Sequence, residues 1–255
     1  MYGIYKIVIN CYIIGGNMDT NLKNYYENIG NPWGKLFYDC VWNQLGYLEN
    51  KLILDFGSGF GVTANYLAKY NNVVAVEPNE EMIKNRYIDN QYTQINGSFE
   101  WLIKEPDNKY DCIICHNVIE YMDKRSELLQ EFYRILKPNG FVSIVKHNRM
   151  GKIMQKAVFE YNIEEAEALL KNEDINSQNF GVIKEYDNRM LEEYSKGKLT
   201  IDRCYGIRTF YGLQDNRVKS NPKWMENMLK LELEVSENPP LREISFFHHI
   251  IMRNG

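Results

Sequence analysis

The chain of 255 residues lacks several features that would each define a class of protein. No apolar run is long enough to cross a bilayer; the stretch from Ile4 to Ile14 is interrupted by Lys6 and is far too short. There is no basic surplus. The formal net charge is −4, so a broad electrostatic footprint for nucleic acid is absent and any such contact must be local. Cysteines are few and scattered: Cys11, Cys40, Cys112, Cys115 and Cys204 form an odd set with no paired framework, which fits a reducing cytoplasm. Cys112 and Cys115 have the spacing of a zinc half-site. Their setting, Tyr110-Asp111-Cys112-Ile113-Ile114-Cys115, reads instead as a buried strand that points the two thiols to opposite faces, so no metal is expected. What remains is ordinary for a soluble globular protein, with 44% hydrophobic and 25% charged residues. The length suits one large domain, or one domain with an insertion.

The first residues are expected to carry no function. Gly15-Gly16-Asn17-Met18 is what a purine-rich ribosome-binding sequence, read in frame ahead of a start codon, would encode. Residues 1–17 are therefore read as a non-native extension and 18–255 as a single domain, with Met18 as initiator. A signal peptide would need a basic start and a small-residue cleavage site, and neither is present.

From residue 50 onward short apolar runs alternate with helical periodicity. Strands are expected at 51–56, 73–77, 92–96, 111–115 and 141–146; their continuous apolar character suits burial on both faces of a parallel sheet. Helices are expected at 62–70, 79–89 and 124–136, the last stopped by Lys137-Pro138-Asn139-Gly140. This alternation predicts a doubly wound α/β sheet. Residues 149–200 break the pattern, with one helix expected over 152–170, a polar loop over 171–179 and a short helix near 191–195. Strand-like runs at 203–210 and 245–252 then flank a helix at 223–233. The core is thus assigned to 50–148 and 201–255, with a helical insertion between the fifth and sixth strands.

The segment Asp55-Phe56-Gly57-Ser58-Gly59-Phe60-Gly61 closes the first strand and opens a helix. Its glycines allow a tight turn and are expected to let a ligand approach bare amides. Glu77 ends the second strand, placed to accept ribose hydroxyls. A dinucleotide fingerprint would need a glycine where Val62 stands, and Asp55 suits a cationic group better than a pyrophosphate. Both departures favour S-adenosylmethionine over NAD.

These residues resemble the class I S-adenosylmethionine-dependent methyltransferases. Residues 55–61 look like the first motif of that family, Val76-Glu77-Pro78 like its second, and Asn96-Gly97-Ser98-Phe99-Glu100 like its adenine-lining loop. Residues 111–120 look like its fourth strand and the turn behind the methionine end. The resemblance implies a Rossmann-like seven-stranded sheet of order 3-2-1-4-5-7-6 with N-terminal helices, and S-adenosylmethionine held by Asp55, Gly57, Ser58, Gly59, Gly61, Glu77, Pro78, Ser98, Phe99 and His116. A narrower likeness, carried by residues 28–36, 115–121, 147–151 and 206–210, is to the bacterial enzymes that esterify 5-carboxymethoxyuridine at the tRNA wobble position. This chain departs from that subgroup at Phe37, where the relative has arginine, and at 171–176, where it has a lysine-rich loop.

Two residues are candidates for the chemistry. His147 ends the fifth strand beside the expected acceptor and is the candidate base; a histidine simply bonded to a loop is the alternative. Arg208 lies in an apolar strand, where a buried cation needs an anionic partner: an acceptor carboxylate or phosphate, or a structural ion pair. Arg217, Lys219 and Lys223 form the one local run where phosphate contact is expected, and a solvated loop is the plainer reading. The N-terminal aromatics Tyr25, Tyr26, Trp33, Phe37, Tyr38 and Trp42 are expected to form a lid or a packed helix. The expected function is methyl transfer to a small or nucleoside-borne acceptor, with a carboxylate oxygen favoured. The tRNA enzyme and a non-catalytic cofactor-sensing module stand as alternatives, and a closed acceptor side would mark the last.

Overall fold

A computed structural model describes residues 19–171, 176–177, 181–182 and 186–254. Residues 1–17, read above as a non-native extension, Met18, and residues 172–175 and 178–179 of the expected polar loop lie outside them. Two helices come first, α1 (Thr20–Gly30) and α2 (Pro32–Leu45). Asp19 caps α1 by accepting from Asn21 N, and Pro32 starts α2 where its missing N–H costs nothing. The alternating unit follows: β1 (Leu52–Phe56), α3 (Val62–Leu67), β2 (Asn72–Glu77), α4 (Glu80–Lys84), β3 (Thr93–Asn96), α5 (Phe99–Leu102), β4 (Tyr110–His116), α6 (Arg125–Ile135) and β5 (Leu136–His147). After β5 come α7 (Arg149–Met154), a π-helical turn at Gln155–Phe159, α8 (Ile163–Leu170), the two-residue strands β6 (Asn176–Ser177) and β7 (Gly181–Val182), and α9 (Met190–Tyr194). The chain closes with β8 (Leu199–Ile207), α10 (Pro222–Val235), α11 (Pro239–Arg242) and β9 (Phe247–Asn254).

The main sheet has seven strands in the order β3-β2-β1-β4-β5-β9-β8. Counted within this sheet the order is 3-2-1-4-5-7-6, as expected. β1 to β5 are parallel, and β9 runs antiparallel to both its neighbours. Adjacent strand residues divide between the two faces. Leu54 and Ile113 join the cluster under α6, with Leu128, Leu129 and Phe132, while Ile53, Ala75 and Ile114 face Leu67 of α3. Cys112 and Cys115 fall in these opposite clusters, both fully buried. Fully burying such a leucine or isoleucine stabilises the fold by about 1.5–3 kcal/mol. α2 packs Leu36, Phe37, Cys40 and Val41 against Val145, Ile207 and Phe247, so an N-terminal helix covers the β5–β9 part of the sheet.

Several helices differ from expectation. The helix expected at 79–89 ends at Lys84, because Tyr87 N donates to Phe60 O (2.9 Å) and Asn90 N to Asn65 Oδ1 (2.8 Å), drawing the chain to the glycine-rich turn and α3. The single helix expected at 152–170 is two. The π turn ends with Glu160 N bonded to Gln155 O, Tyr161 takes φ 54°, and Asn162 restarts the helix by accepting from Glu165 N. The residues at 137–140 form part of β5, which begins directly after α6 with a register shift opposite Tyr110–Cys112.

Candidate active site

Gly57, Gly59 and Gly61 all adopt left-handed backbone, with φ of 76°, 54° and 69°. A Cβ on Gly57 would strike Val118, and one on Gly61 would strike the Tyr92 hydroxyl. The expectation of bare amides is corrected. Gly57 N and Ser58 N donate to Val76 O (2.8 and 3.0 Å), Gly61 N to Ser58 O (2.8 Å), and Gly59 N to Glu77 Oε2 (2.9 Å). The turn thus offers a ligand close approach to Cα surfaces, and the amides of Gly57, Ser58, Gly59 and Gly61 are already committed.

Glu77 is fixed from both sides, since its Oε1 accepts from Asn79 N (2.9 Å) while Oε2 takes Gly59. Burial pushes its carboxyl up, opposed by those two amides. Each oxygen keeps a lone pair, and the residue lines a cavity of about 680 Å³ together with Gly57, Gly59, Pro78 and His116. A second cavity of about 320 Å³ shares Gly57, Pro78 and Val118 with the first and is lined further by Val76, Ser98 and Phe99. A carboxylate facing one chamber and an aromatic, glycine-floored slot beside it fit a nucleoside: ribose hydroxyls at Glu77, a flat base by Phe99.

Asp55, Ser58 and Gly61 do not line either cavity. Gly61 serves packing against Tyr92. Asp55 is 4% exposed and sits behind the turn; its Oδ2 has no partner among the described residues. Burial pushes its carboxyl up to about 7, against a bond from the Ala64 amide and with the charge of Glu77 adding to the rise.

His116 belongs to a buried chain of polar groups. Its Nε2 lies 2.8 Å from Ser143 Oγ, which lies 2.8 Å from His249 Nε2, and His249 Nδ1 lies 2.9 Å from Gln44 Oε1. Gln44 Nε2 donates to Gly206 O (3.0 Å), which fixes the amide orientation because a carbonyl only accepts. Protons are then assigned in sequence. His249 Nδ1 donates to Gln44, Ser143 donates to His249 Nε2, and His116 Nε2 donates to Ser143. Burial holds His249 down to about 3 and, with the charge of His249, holds His116 well below the usual histidine range. His116 is therefore neutral, and its Nδ1, which has no partner among the described residues, is a bare acceptor. His248 points to the other face, toward Asn188 and Arg242 O.

His147 lines the cavity, and its partner is a residue that sequence reasoning missed. Glu120, 1% exposed in the turn after β4, accepts from both His147 N (2.7 Å) and His147 Nδ1 (2.8 Å). Burial would raise the Glu120 carboxyl, but the hydrogen bonds and charge of His147 outweigh it and leave it lowered. An ionised Glu120 keeps a proton on His147 Nδ1, so that in the neutral imidazole the lone pair lies on Nε2. Only the pairing of β4 with β5 brings these residues together; the acid in Val118-Ile119-Glu120-Tyr121 gives no signal by itself.

Arg208 is also placed beside the site. Its guanidinium lies 5.3 Å from the Trp33 ring centroid, 4.8 Å from that of Phe246 and 5.7 Å from that of Phe247, and all three rings line the cavity. The expected basic run is otherwise committed: Arg217 pairs with Asp215 (2.6 Å) and Lys223 with Glu226 (3.3 Å). The N-terminal aromatics act as a cover, since Tyr25, Trp33, Phe37 and Tyr38 line the cavity and Tyr25 and Tyr26 pack on Phe60 of the glycine-rich turn.

Known proteins share both the sequence pattern and the fold. Residues 54–144 match the family model described as a methyltransferase domain. Over 162 residues the chain is 25% identical to the ubiquinone biosynthesis O-methyltransferase of Hydrogenovibrio crunogenus, covering 56% of this chain and 67% of that protein. It is 32% identical over 126 residues to the Rickettsia canadensis protein of the same name, covering 47% and 52%. An S-adenosylmethionine-dependent methyltransferase from Mesorhizobium loti shares the fold, with a TM-score of 0.56, 14% identity and coverage of 88% of this chain and 100% of that one. Residues 54–144 thus match a methyltransferase domain, and the fold around them is one shared with S-adenosylmethionine-dependent methyltransferases. No helix among the described residues is long and apolar enough to cross a membrane.

Proposed function

We propose that this chain methylates an oxygen of a small acceptor, with His147 as general base and Glu120 holding it in place. The observation behind this reading is that the Glu120–His147 pair opens on the same cavity as Glu77 and the glycine-rich turn. S-adenosylmethionine, when bound, supplies a methyl group on a cationic sulfur, a good leaving group. Glu77, Phe99 and the glycine surfaces hold the nucleoside end, and His116 lines the same cavity near the turn after β4. The cavity continues past these groups to His147, Gln155 and Lys156, which leaves room for an acceptor and argues against a cofactor-sensing module. A carboxylate acceptor arrives deprotonated and needs no base. A hydroxyl does need one, so the oriented histidine favours a hydroxyl over the carboxylate oxygen expected from sequence.

The second reading is esterification of 5-carboxymethoxyuridine in tRNA. Arg208 beside the cavity is the observation in its favour, while the paired Arg217 and Lys223 weigh against an extended phosphate-binding surface. One assay separates the readings. The protein and isotope-labelled S-adenosylmethionine are offered phenolic and catecholic acceptors in parallel with tRNA carrying the unesterified nucleoside. Label on the small hydroxyls that disappears in His147→Ala supports the first reading; base-labile label on tRNA alone refutes it.

A further inference from the structure

Arg208 and Lys219 are two inward-placed cations left over once the methyl-transfer residues are assigned. Arg208 sits at a backbone φ of 62°, a conformation that costs a non-glycine residue of order 1 kcal/mol and that is usually kept where surrounding structure enforces it. The turn is enforced by Glu232, 1% exposed, whose carboxylate accepts from Thr209 N (2.6 Å), Phe210 N (2.9 Å) and Tyr211 N (2.9 Å). That carboxylate is thus committed to the backbone, although its charge reaches Arg208. The guanidinium is instead surrounded by the rings of Trp33, Tyr211, Phe246 and Phe247, and its buried Nε has no hydrogen-bond partner among the described residues.

Lys219 comes to the same place from another segment. It is 7% exposed, and its ammonium lies 4.5 Å from the Tyr211 ring centroid and 4.6 Å from that of Phe159 in the π turn. Its hydrogen bond is to the neutral Asn216 Oδ1 at 2.9 Å. Two cations sharing the Tyr211 ring, both largely desolvated, repel each other. Burial first and mutual charge second lower Lys219, and burial lowers Arg208 to about 10. Aromatic faces offset part of that cost. Full compensation calls for an anion, and the planar fork of an arginine with an unmatched N–H is suited to a carboxylate or phosphate.

We propose that Arg208 and Lys219 form an anion subsite next to the acceptor end of the cavity, which binds a carboxylate or phosphate carried by the methyl acceptor at a point distinct from its nucleophilic oxygen. The inference rests on the proposed O-methylation and names the substrate class: a hydroxyl compound with an anionic tail. The separation of roles follows from charge. An oxygen held by a guanidinium is a poorer nucleophile, so the anchored group is the handle and the hydroxyl at His147 is the reacting group.

The test uses the full chain saturated with S-adenosylhomocysteine and three matched probes: 4-hydroxybenzoate, 4-hydroxyphenyl phosphate and uncharged 4-hydroxybenzamide. Ligand-observed NMR should show one or both anionic probes binding about tenfold or more tighter than the amide. The tighter of the two anions identifies the source. The advantage should vanish in Arg208→Met, shrink in Arg208→Lys and Lys219→Met, and S-adenosylhomocysteine should bind all variants as it binds wild type. Equal binding of the three probes to wild type overturns the proposal, as does an advantage that survives in both Lys219→Met and Arg208→Lys unchanged. Weakened S-adenosylhomocysteine binding in folded Arg208→Met also overturns it, by giving the guanidinium to the cofactor's own carboxylate. Failure of wild type to bind S-adenosylhomocysteine would instead refute the methyltransferase reading, and inorganic phosphate titrated into wild type and Lys219→Met would still decide the subsite.

Discussion

Glu120 Oε1 accepts two hydrogen bonds from one residue, His147, at 2.7 Å from its backbone N and 2.8 Å from its Nδ1. The double contact fixes where β5 ends and which ring nitrogen carries the proton. In the proposed mechanism His147→Ala lowers kcat by about a hundredfold or more, with binding of S-adenosylhomocysteine retained. Glu120→Gln keeps an acceptor oxygen but loses the charge, so its kcat falls less than that of His147→Ala and its KM changes little. Steady-state kinetics with any accepted hydroxyl compound checks both; wild-type kcat in either variant would remove the pair from the mechanism.

Ser143 is fully buried and bonds both His116 and His249. Ser143→Ala leaves two imidazole nitrogens unsatisfied in the interior and is expected to cost about 1–3 kcal/mol of stability. Urea denaturation measures this. A loss near zero would mean that the assigned proton order contributes nothing to the fold.

Asp55 makes stability depend on pH in a direction opposite to that of a salt-bridged carboxylate. Its carboxyl is raised to about 7 by burial, from an ordinary 3.8. Below 3.8 it is protonated in folded and unfolded chains alike and costs nothing; as pH rises through about 7 the folded state must ionise a buried group, and stability is lost. Asp55→Asn should therefore melt higher than wild type at pH 8, with the gap closing as pH falls toward 4. A gap independent of pH in thermal melts would show that Asp55 ionises freely.

Gly57 combines left-handed backbone with a Cβ position already filled by Val118. Gly57→Ala is expected to lower stability by about 1 kcal/mol or more and to weaken S-adenosylhomocysteine binding. Wild-type affinity in this variant, read by calorimetry, would show that the turn does not border the cofactor.

Much of the sheet was legible because strands buried on both faces are written as continuous apolar runs: Ile53-Leu54, Val73-Val74 and Ile113-Ile114 each serve two clusters. The glycine-rich turn and Glu77 were legible because few other roles need those residues at that spacing. Helix lengths were less so. The short α4 is ended by bonds from Tyr87 and Asn90 to distant residues, which no local pattern encodes. The start of α8 did have a local signal, Asn162 followed by Glu164 and Glu165 in the first turn, inside what periodicity presented as one helix. Glu120 and Gln44 gave no signal, because each works through a partner brought near only by tertiary packing: His147 for one, His249 for the other.

The account depends most on a carboxylate and a glycine-rich turn forming one nucleoside site. Isothermal titration of S-adenosylmethionine, S-adenosylhomocysteine and NAD into wild type and Glu77→Ala tests that directly. The account predicts micromolar binding of both adenosyl ligands to wild type, binding reduced at least tenfold in Glu77→Ala, and no binding of NAD. Preference for NAD, or adenosyl binding indifferent to Glu77, would contradict it.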